Sequence, residues 1–292
     1  MFVNKKGPAK YIAHAAMILF SLLCIVPFLI VVSISLSSAE SIQQHGYQII
    51  PSGWSLAAYK SLLAEPDLIV NAYKVNIYVT VVGTVLALLI SVLTAYVLSR
   101  KTYVLRRPLN FYMFFTMLFS GGMVPLYILM TRYLGLKDSL WSIIFLGLVV
   151  PGQIFMLRTF FNEMPEALIE AAKIDGASET TVLFKIVVPM NTGAIATILL
   201  MVILGFWNDW YRCMLYITKP KLYNLQYMLQ VMMGKAMDAA NNASMGLTTT
   251  EEIPQDSMRM ALCIFAAGPT ILVFPFFQKY FVAGLSSGAV KG

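Results

Sequence analysis

Few side chains in this sequence are spaced for catalysis or metal binding. The two histidines, His14 and His45, have no carboxylate or cysteine partner at the spacing that metal ligands need. Gly234-Lys235 lacks the earlier glycine and the following Ser or Thr that a P-loop requires. The three cysteines show no redox or metal-binding spacing. We therefore expect no catalytic residue, no metal and no cofactor in this chain, so any ATP must be bound by another protein.

An ionisable pair lies inside one long apolar stretch, residues 193–217. Asp209 and Arg212 are three residues apart, a spacing that makes them neighbours on a helix. Ionisable groups inside an apolar segment usually face the interior of a helix bundle or an aqueous cavity. Trp and Tyr nearby can line the same path, but they also anchor helices at membrane interfaces. Our candidates for a polar pathway, with interfacial anchoring as the alternative for the aromatic residues, are Trp207, Asn208, Asp209, Trp210, Tyr211 and Arg212.

The composition indicates a membrane protein. The chain has 292 residues, of which 59% are hydrophobic and only 12% are charged. A soluble domain of this length could not bury that much apolar surface. The net charge of +7 does not indicate nucleic acid, because the basic residues form short groups between apolar runs and not one contiguous face.

About six apolar segments are long enough to approach the roughly 20 residues that a spanning helix needs. The sequence therefore predicts an all-α membrane protein that forms a single transmembrane domain over residues 1–292, with a core region over 75–278. The predicted spans are 12–36, 75–98, 109–131, 140–157, 193–217 and 258–278.

Loop charges predict the orientation of these spans, because Lys and Arg are retained on the cytoplasmic side. The N-terminal segment carries Lys5, Lys6 and Lys10, and the loop at 99–108 carries four basic residues and no acid. Both termini are therefore predicted to be cytoplasmic. The basic N-terminus resembles a signal peptide, but its apolar run is longer than a signal sequence and is predicted to be a retained helix.

The segment 162–190 is predicted to be a cytoplasmic loop of two short helices. Pro165 suits the first turn of a helix and Gly176 its end, whereas Ser178 can cap a second helix that ends near Val188, before Pro189. Alanines make the first helix thin, and its charged residues cannot enter lipid. Such a helix fits a groove in a partner protein, although an amphipathic connector lying on the membrane is the alternative.

A second long loop, 218–257, is predicted on the external side. Its length suggests contact with a partner or a substrate, with an unspecialised surface loop as the alternative. The first external loop, 37–74, has the aromatic and proline content of a folded segment.

The 162–190 segment resembles the EAA motif of ABC-importer permeases. The matching residues are Glu170, Ala171, Ala172, Asp175, Gly176 and Ala177, followed by Phe184, Ile186 and Pro189. Further similarity to the maltose-type branch of oligosaccharide permeases lies in Trp207-Asn208-Asp209, in 119–125, and in the C-terminal stretches 278–281 and 288–292. Residues 120–125 also resemble permeases for oligosaccharides released from complex polysaccharides, such as alginate or pectin.

This resemblance implies the type I ABC importer (MetI-like) fold and a multi-pass subunit of the bacterial plasma (inner) membrane. It also implies that the segment 162–190, which we call the coupling segment, is received by an ATPase. The implied partners are a second homologous permease, two ATP-binding subunits that hold ATP and Mg, and an extracellular or periplasmic sugar-binding protein.

Two other functional classes are open at this stage. A secondary sugar transporter driven by an ion gradient would use Asp209 and Arg212 as a relay. A membrane-embedded enzyme is disfavoured, because no nucleophile, metal site or carboxylate pair is found on the spans.

Overall fold

A computed structural model describes residues 8–64, 66–244, 256–271 and 275, and within these ranges the regular structure is helical. The helices are α1 (Pro8–Ser35), α2 (Ala39–His45), α3 (Ala57–Leu62), α4 (Pro66–Ser99), α5 (Arg106–Leu118), α6 (Met123–Ile128), α7 (Leu140–Gly147), α8 (Pro151–Asn162), α9 (Glu166–Ile174), α10 (Glu179–Val182), α11 (Val188–Met190), α12 (Thr192–Trp207), α13 (Tyr211–Tyr216), α14 (Leu225–Ser244) and α15 (256–271). Single π-helical turns follow α6 and α10, at Leu129–Tyr133 and Leu183–Val187.

The chain divides into two compact parts. In the first part, formed by residues up to Asp67 and by Leu229–Pro269, a bridge between Ser37 and Trp54 closes the loop after α1. Ser257 Oγ donates to the Ser37 carbonyl oxygen at 2.7 Å, which attaches α15 to the same loop. The folded character predicted for the first external loop is confirmed by α2, α3 and this bridge.

The core of the second part is built around α4. This 34-residue helix starts at Pro66, nine residues before the predicted start of its span, because the polar residues between 66 and 76 continue the helix instead of forming a loop. One face of α4 is buried among α7, α8 and α12, in a cluster that includes Val79, Ala95 and Leu98.

Two predicted spans, 109–131 and 140–157, are not single straight helices, because α5 and α6 meet at 111° and α7 and α8 at 42°. The α10–α11 run meets α12 at 86°, just before the predicted span 193–217. The first break lies at Ser120-Gly121-Gly122, where Gly122 has φ +88°, and the second lies just before Pro151. Gly121, Gly122 and Pro125 in the sequence favour a kink within 109–131, but hydropathy measures only composition and predicts neither the size of that bend nor the break within 140–157.

Two unbroken helices, Tyr11–Ser35 and Pro66–Ser99, are long and apolar enough to cross a membrane, and the described residues contain up to five spans if each bent pair counts as one. The predicted sixth span, 258–278, begins with α15, but most of it after 271 lies outside the described residues. Lys5 and Lys6, and the C-terminal stretches 278–281 and 288–292, also lie outside them.

The ring of Phe206 on α12 packs between two glycines on other helices. A Cβ atom on Gly83 would lie 2.6 Å from Phe206 Cζ, and one on Gly147 would lie 2.5 Å from the same ring. Real Cβ atoms do not approach so closely, so both glycines are needed for α4 and α7 to reach α12. We call this contact the Phe206 junction.

We expect Gly83→Ala and Gly147→Ala to destabilise the protein by about 1–3 kcal/mol each, because each added methyl group overlaps a buried ring. The measurement is the thermal unfolding midpoint of the detergent-solubilised protein. Gly205→Ala is the matched control, because it lies in α12 with no atom within 4 Å of its new Cβ. Equal midpoints for all three variants would contradict this packing.

Candidate functional site

The first helix of the coupling segment ends in a Schellman motif centred on Gly176. The Gly176 N–H donates to the Lys173 carbonyl oxygen at 3.0 Å, and the Ala177 N–H donates to the Ala172 carbonyl oxygen at 2.9 Å. Gly176 has φ +83°, which glycine adopts without a steric penalty. The predicted helix end at Gly176 is confirmed, and the backbone geometry explains why a glycine stands there.

The second helix of the segment begins where the sequence predicts. Ser178 Oγ accepts a hydrogen bond from the Thr181 N–H at 3.2 Å, so Ser178 is the N-cap. The predicted end before Pro189 is wrong by two residues, because the helical run continues to Met190. Pro189 lies near the end of this continuous helical run, directly after the π-helical turn Leu183–Val187.

The helix α9 has one buried side and one exposed side. Ile169 is 4% exposed and packs in the core, while Ala172 and Ala177 are half-buried against the core. The other predicted coupling residues, Glu170, Ala171, Asp175 and Gly176, are exposed. The core therefore fixes the helix from one side and leaves the opposite side available.

Large apolar side chains lie on the exposed side of the coupling segment. Leu168, Ile174 and Phe184 are 43%, 86% and 51% exposed. The sequence predicts a thin, charged helix but does not mark Leu168 and Ile174 as surface residues, although both lie in the same short helix. The surface offered to a partner is thus mixed, with apolar residues beside carboxylates.

Two ion pairs stabilise the coupling segment, one to the loop after α4 and one between its own two helices. Lys101 Nζ lies 2.8 Å from Glu166 Oε2, and Lys173 Nζ lies 2.6 Å from Glu179 Oε1. The hydrogen bond from Lys101 holds the pKa of Glu166 below its usual range. Lys101 comes from the loop after α4, so sequence spacing could not indicate this contact.

The predicted pathway residues form a turn between α12 and α13. Asp209 Oδ1 accepts from the Arg212 N–H at 3.1 Å, and Asp209 Oδ2 accepts from Arg212 Nη1 at 3.1 Å. The Asp209 side chain is only 8% exposed. Asn224 Nδ2 donates to the Asp209 carbonyl oxygen. The predicted proximity of Asp209 and Arg212 is confirmed, and the pair also closes a break in the helical run.

A small open cleft lies beside this turn. Its polar lining comes from Gln153 and Arg212, and Phe206, Met201 and Val150 supply much of its apolar lining. Of the six predicted pathway residues only Arg212 lines it. Trp207 is buried and Asn208, Trp210 and Tyr211 are exposed elsewhere on the turn. Gln153 and Phe206 were missed, because nothing in their local sequence marks them.

Comparison with known proteins gives the family. The sequence profile described as "Binding-protein-dependent transport system inner membrane component" matches residues 87–287. The chain belongs to this family of ABC permeases. This permease is the non-catalytic, membrane-embedded subunit of an ATP-driven, binding-protein-dependent importer.

Relatives of the permease are similar over nearly their whole length. It is 35% identical over 280 residues, covering 96% of each chain, to the polygalacturonan/rhamnogalacturonan transport system permease protein YtcP of Bacillus subtilis. It is 26% identical over 279 residues, covering 94% of each chain, to the trehalose/maltose transport system permease protein MalG of Thermococcus litoralis.

A solved structure has the same fold. A chain of a bacterial ABC transporter involved in the import of the acidic polysaccharide alginate superposes with a TM-score of 0.79 at 28% identity. The match covers 96% of the permease and 99% of that chain. The fold predicted from the EAA resemblance is thereby confirmed.

Among the described residues of the permease, no group of three or more His, Cys, Asp or Glu side chains is close enough to hold a metal ion.

Asp138 joins two loops of the permease, the one before α7 and the one after α13. Its carboxylate accepts from the N–H and the hydroxyl of Thr218 and from the Lys219 N–H. These bonds, the Thr218 N–H first, hold the pKa of Asp138 below its usual range. Asp138 also has φ +56°, a left-handed conformation that Asp and Asn tolerate better than most residues.

We expect Asp138→Asn to lower the thermal unfolding midpoint at neutral pH, because a charged acceptor makes stronger hydrogen bonds than an amide. A lowered pKa means that the carboxylate stabilises the folded state fully above the usual carboxyl range and loses this effect as pH falls through the lowered value. The difference between wild type and Asp138→Asn should therefore shrink as the buffer is acidified. A difference that is independent of pH would contradict the assignment.

Proposed function

We propose that the coupling segment of this permease is the docking element for a separate ATPase chain. The observation that carries the proposal is the exposed side of α9, where Ile174 and Leu168 lie in contact with solvent beside Glu170 and Asp175. Large apolar groups exposed together on one short helix favour contact with another protein. The absence of a P-loop in the sequence requires that ATP and Mg be bound by that partner.

The complete transporter in this proposal contains this chain, a second homologous permease, two ATP-binding subunits and an external sugar-binding protein. The basic residues at 99–108 and the coupling segment then face the cytoplasm, with both termini on the same side and the 218–257 segment outside. The location is the plasma (inner) membrane of a bacterium. ATP binding moves the coupling segment, and the bundle alternates between inward-facing and outward-facing states.

The docking role predicts that Gly176→Ala and Glu170→Lys reduce both co-purification of the ATPase and ATP-dependent uptake in proteoliposomes. An alanine at φ +83° costs about 1–2 kcal/mol of local strain, which shifts or frays the end of α9. A lysine at 170 reverses one charge on the exposed side.

Matched controls separate docking from general instability. Gly135→Ala introduces the same type of strain at φ +64° in another loop, and Glu40→Lys makes the same charge change on an exposed residue outside the coupling segment. Both controls should assemble and transport normally. Unchanged ATPase co-purification and unchanged uptake in the 170 and 176 variants would refute the docking role.

We further propose that the substrates are oligosaccharides from an acidic polysaccharide. Support comes from the relatives, one named for polygalacturonan, a polymer of uronic acids, and one from an importer of acidic alginate. Within the cleft, Arg212 is a cation that can bind a carboxylate, and Gln153 can hydrogen-bond to hydroxyl groups. A neutral oligosaccharide would use the amide and the apolar lining but not the guanidinium.

This substrate class predicts that the double change Asp209→Asn with Arg212→Gln lowers the uptake of oligogalacturonate about tenfold relative to a neutral oligosaccharide, because one charge-assisted hydrogen bond is lost. Both partners are changed so that no unpaired charge stays buried. Uptake of both sugars is measured in proteoliposomes that contain the binding protein. Lys137→Gln, which removes one positive charge from an exposed residue outside the cleft, is the control. An unchanged acidic-to-neutral ratio in the double variant would remove Arg212 from sugar recognition.

A further inference from the structure

One carboxylate connects the coupling segment to the end of α4. The Tyr96 hydroxyl donates a hydrogen bond to Glu179 Oε2, and Glu179 Oε1 lies 2.6 Å from Lys173 Nζ. Tyr96 lies on α4, Lys173 on α9, and Glu179 is the first residue of α10. A single side chain therefore bridges three helices, and we call this contact the Glu179 bridge.

The α4 side of the Glu179 bridge is firmly held. Tyr96 is 5% exposed, and the Arg100 guanidinium lies 5.0 Å from the centre of its ring. The end of the helix is fixed by hydrogen bonds from Arg106 Nε to the Leu98 carbonyl oxygen at 2.9 Å and from Ser99 Oγ to the Tyr96 carbonyl oxygen at 2.7 Å. The hydroxyl of Tyr96 is thus presented from a buried and ordered position.

A second contact, the ion pair between Lys101 after α4 and Glu166 on α9, is weaker because it is exposed to solvent. Both side chains of this pair are more than half exposed, at 70% and 55%. Glu179 is itself 54% exposed, but its partner on α4, Tyr96, is only 5% exposed. Exposed pairs of this kind contribute little, because water and salt screen them. The negative charge of Glu179 is also stabilised by the helix dipole, because this residue lies at the start of α10. The bridge through Tyr96 is accordingly the stronger connection.

We propose that the Glu179 bridge transmits movement of the coupling segment directly to α4, in addition to the movement carried along the chain through α8 and α12. This proposal rests on the docking role proposed above. Tyr96 and Glu179 are positioning residues in this scheme, because they touch neither the nucleotide nor the sugar.

The path from the bridge to the cleft runs along one continuous helix. Gly83, which packs against Phe206, lies on the same helix as Tyr96, thirteen residues earlier, or roughly 20 Å at 1.5 Å per residue. Phe206 lines the cleft. A rigid displacement of α4 at Tyr96 therefore reaches the Phe206 junction, where Gly83 and the ring are already in contact.

The test uses the complete transporter reconstituted in proteoliposomes, with Tyr96→Phe, Glu179→Gln and the double variant. Sugar uptake and ATP hydrolysis are measured together, and their ratio is the readout. We expect the ATPase to co-purify at the wild-type level and hydrolysis to persist, while sugar imported per ATP falls about 2- to 30-fold. The double variant should be no worse than the more affected single variant, because both changes break one connection.

Two matched controls are available. Tyr78→Phe removes a hydroxyl from an exposed tyrosine of α4, and Glu40→Gln removes an exposed carboxylate that lies outside the coupling segment and makes no side-chain hydrogen bond or ion pair among the described residues. Both should keep the wild-type ratio.

Either of two results would contradict transmission through the Glu179 bridge. One is an unchanged ratio in both single variants. The other is loss of ATPase co-purification in Tyr96→Phe, a nearly isosteric change, which would make the contact a requirement for docking and not for transmission. The docking role is refuted by a different result, namely that the Glu170→Lys and Gly176→Ala variants still assemble with the ATPase and transport sugar.

Discussion

Inside a bilayer no water satisfies a peptide group, so each break in a spanning helix must find hydrogen-bond partners within the protein. At the break before α13, Asp209 accepts from the Arg212 N–H and Asn224 donates to the Asp209 carbonyl oxygen. At the break before α8, the Val150 carbonyl oxygen accepts from two N–H groups, those of Gln153 and Ile154. Residues from both breaks line the cleft, as expected if irregular backbone at membrane depth is tolerated only beside a cavity.

This constraint changes the meaning of the ionisable pair in the α12–α13 turn. An ion relay requires a carboxylate that exchanges protons or cations during transport. Asp209 instead accepts from both the backbone and the guanidinium of Arg212, and its side chain is almost fully enclosed. Membership of an ATP-driven family removes the need for a relay, and the geometry makes Asp209 a brace that directs Arg212 toward the cleft.

Local signals in the sequence were sufficient for local structure. Gly176 and Ser178 predict the end of α9 and the start of α10, because a left-handed residue and a hydroxyl cap act within one helical turn. The glycines at 121 and 122 favour a kink inside 109–131, but its size and the bend inside 140–157 were missed, because hydropathy records composition and not direction. The Phe206 junction and the Glu179 bridge were also missed, since Tyr96 and Glu179 are 83 residues apart and meet only after the helices pack. Gln153, which lines the cleft, was missed for the same reason, because it meets the other lining residues only after the helices pack.

The proposed docking and transmission roles require that the coupling segment bind a partner on one side and be attached to a membrane helix on the other, and different residues would meet these two requirements. Its exposed side carries Ile174 and Phe184, whose apolar surface is costly in water and would be covered by a docked partner. Its inner side carries Ile169, which is buried, and Glu179, which bonds to α4. If the inner side were fastened only by apolar packing, the helix could slide, because dispersion contacts have little directional preference. The hydrogen bond from Tyr96 adds direction at one defined point, so displacement of α9 has to move α4 or break that bond.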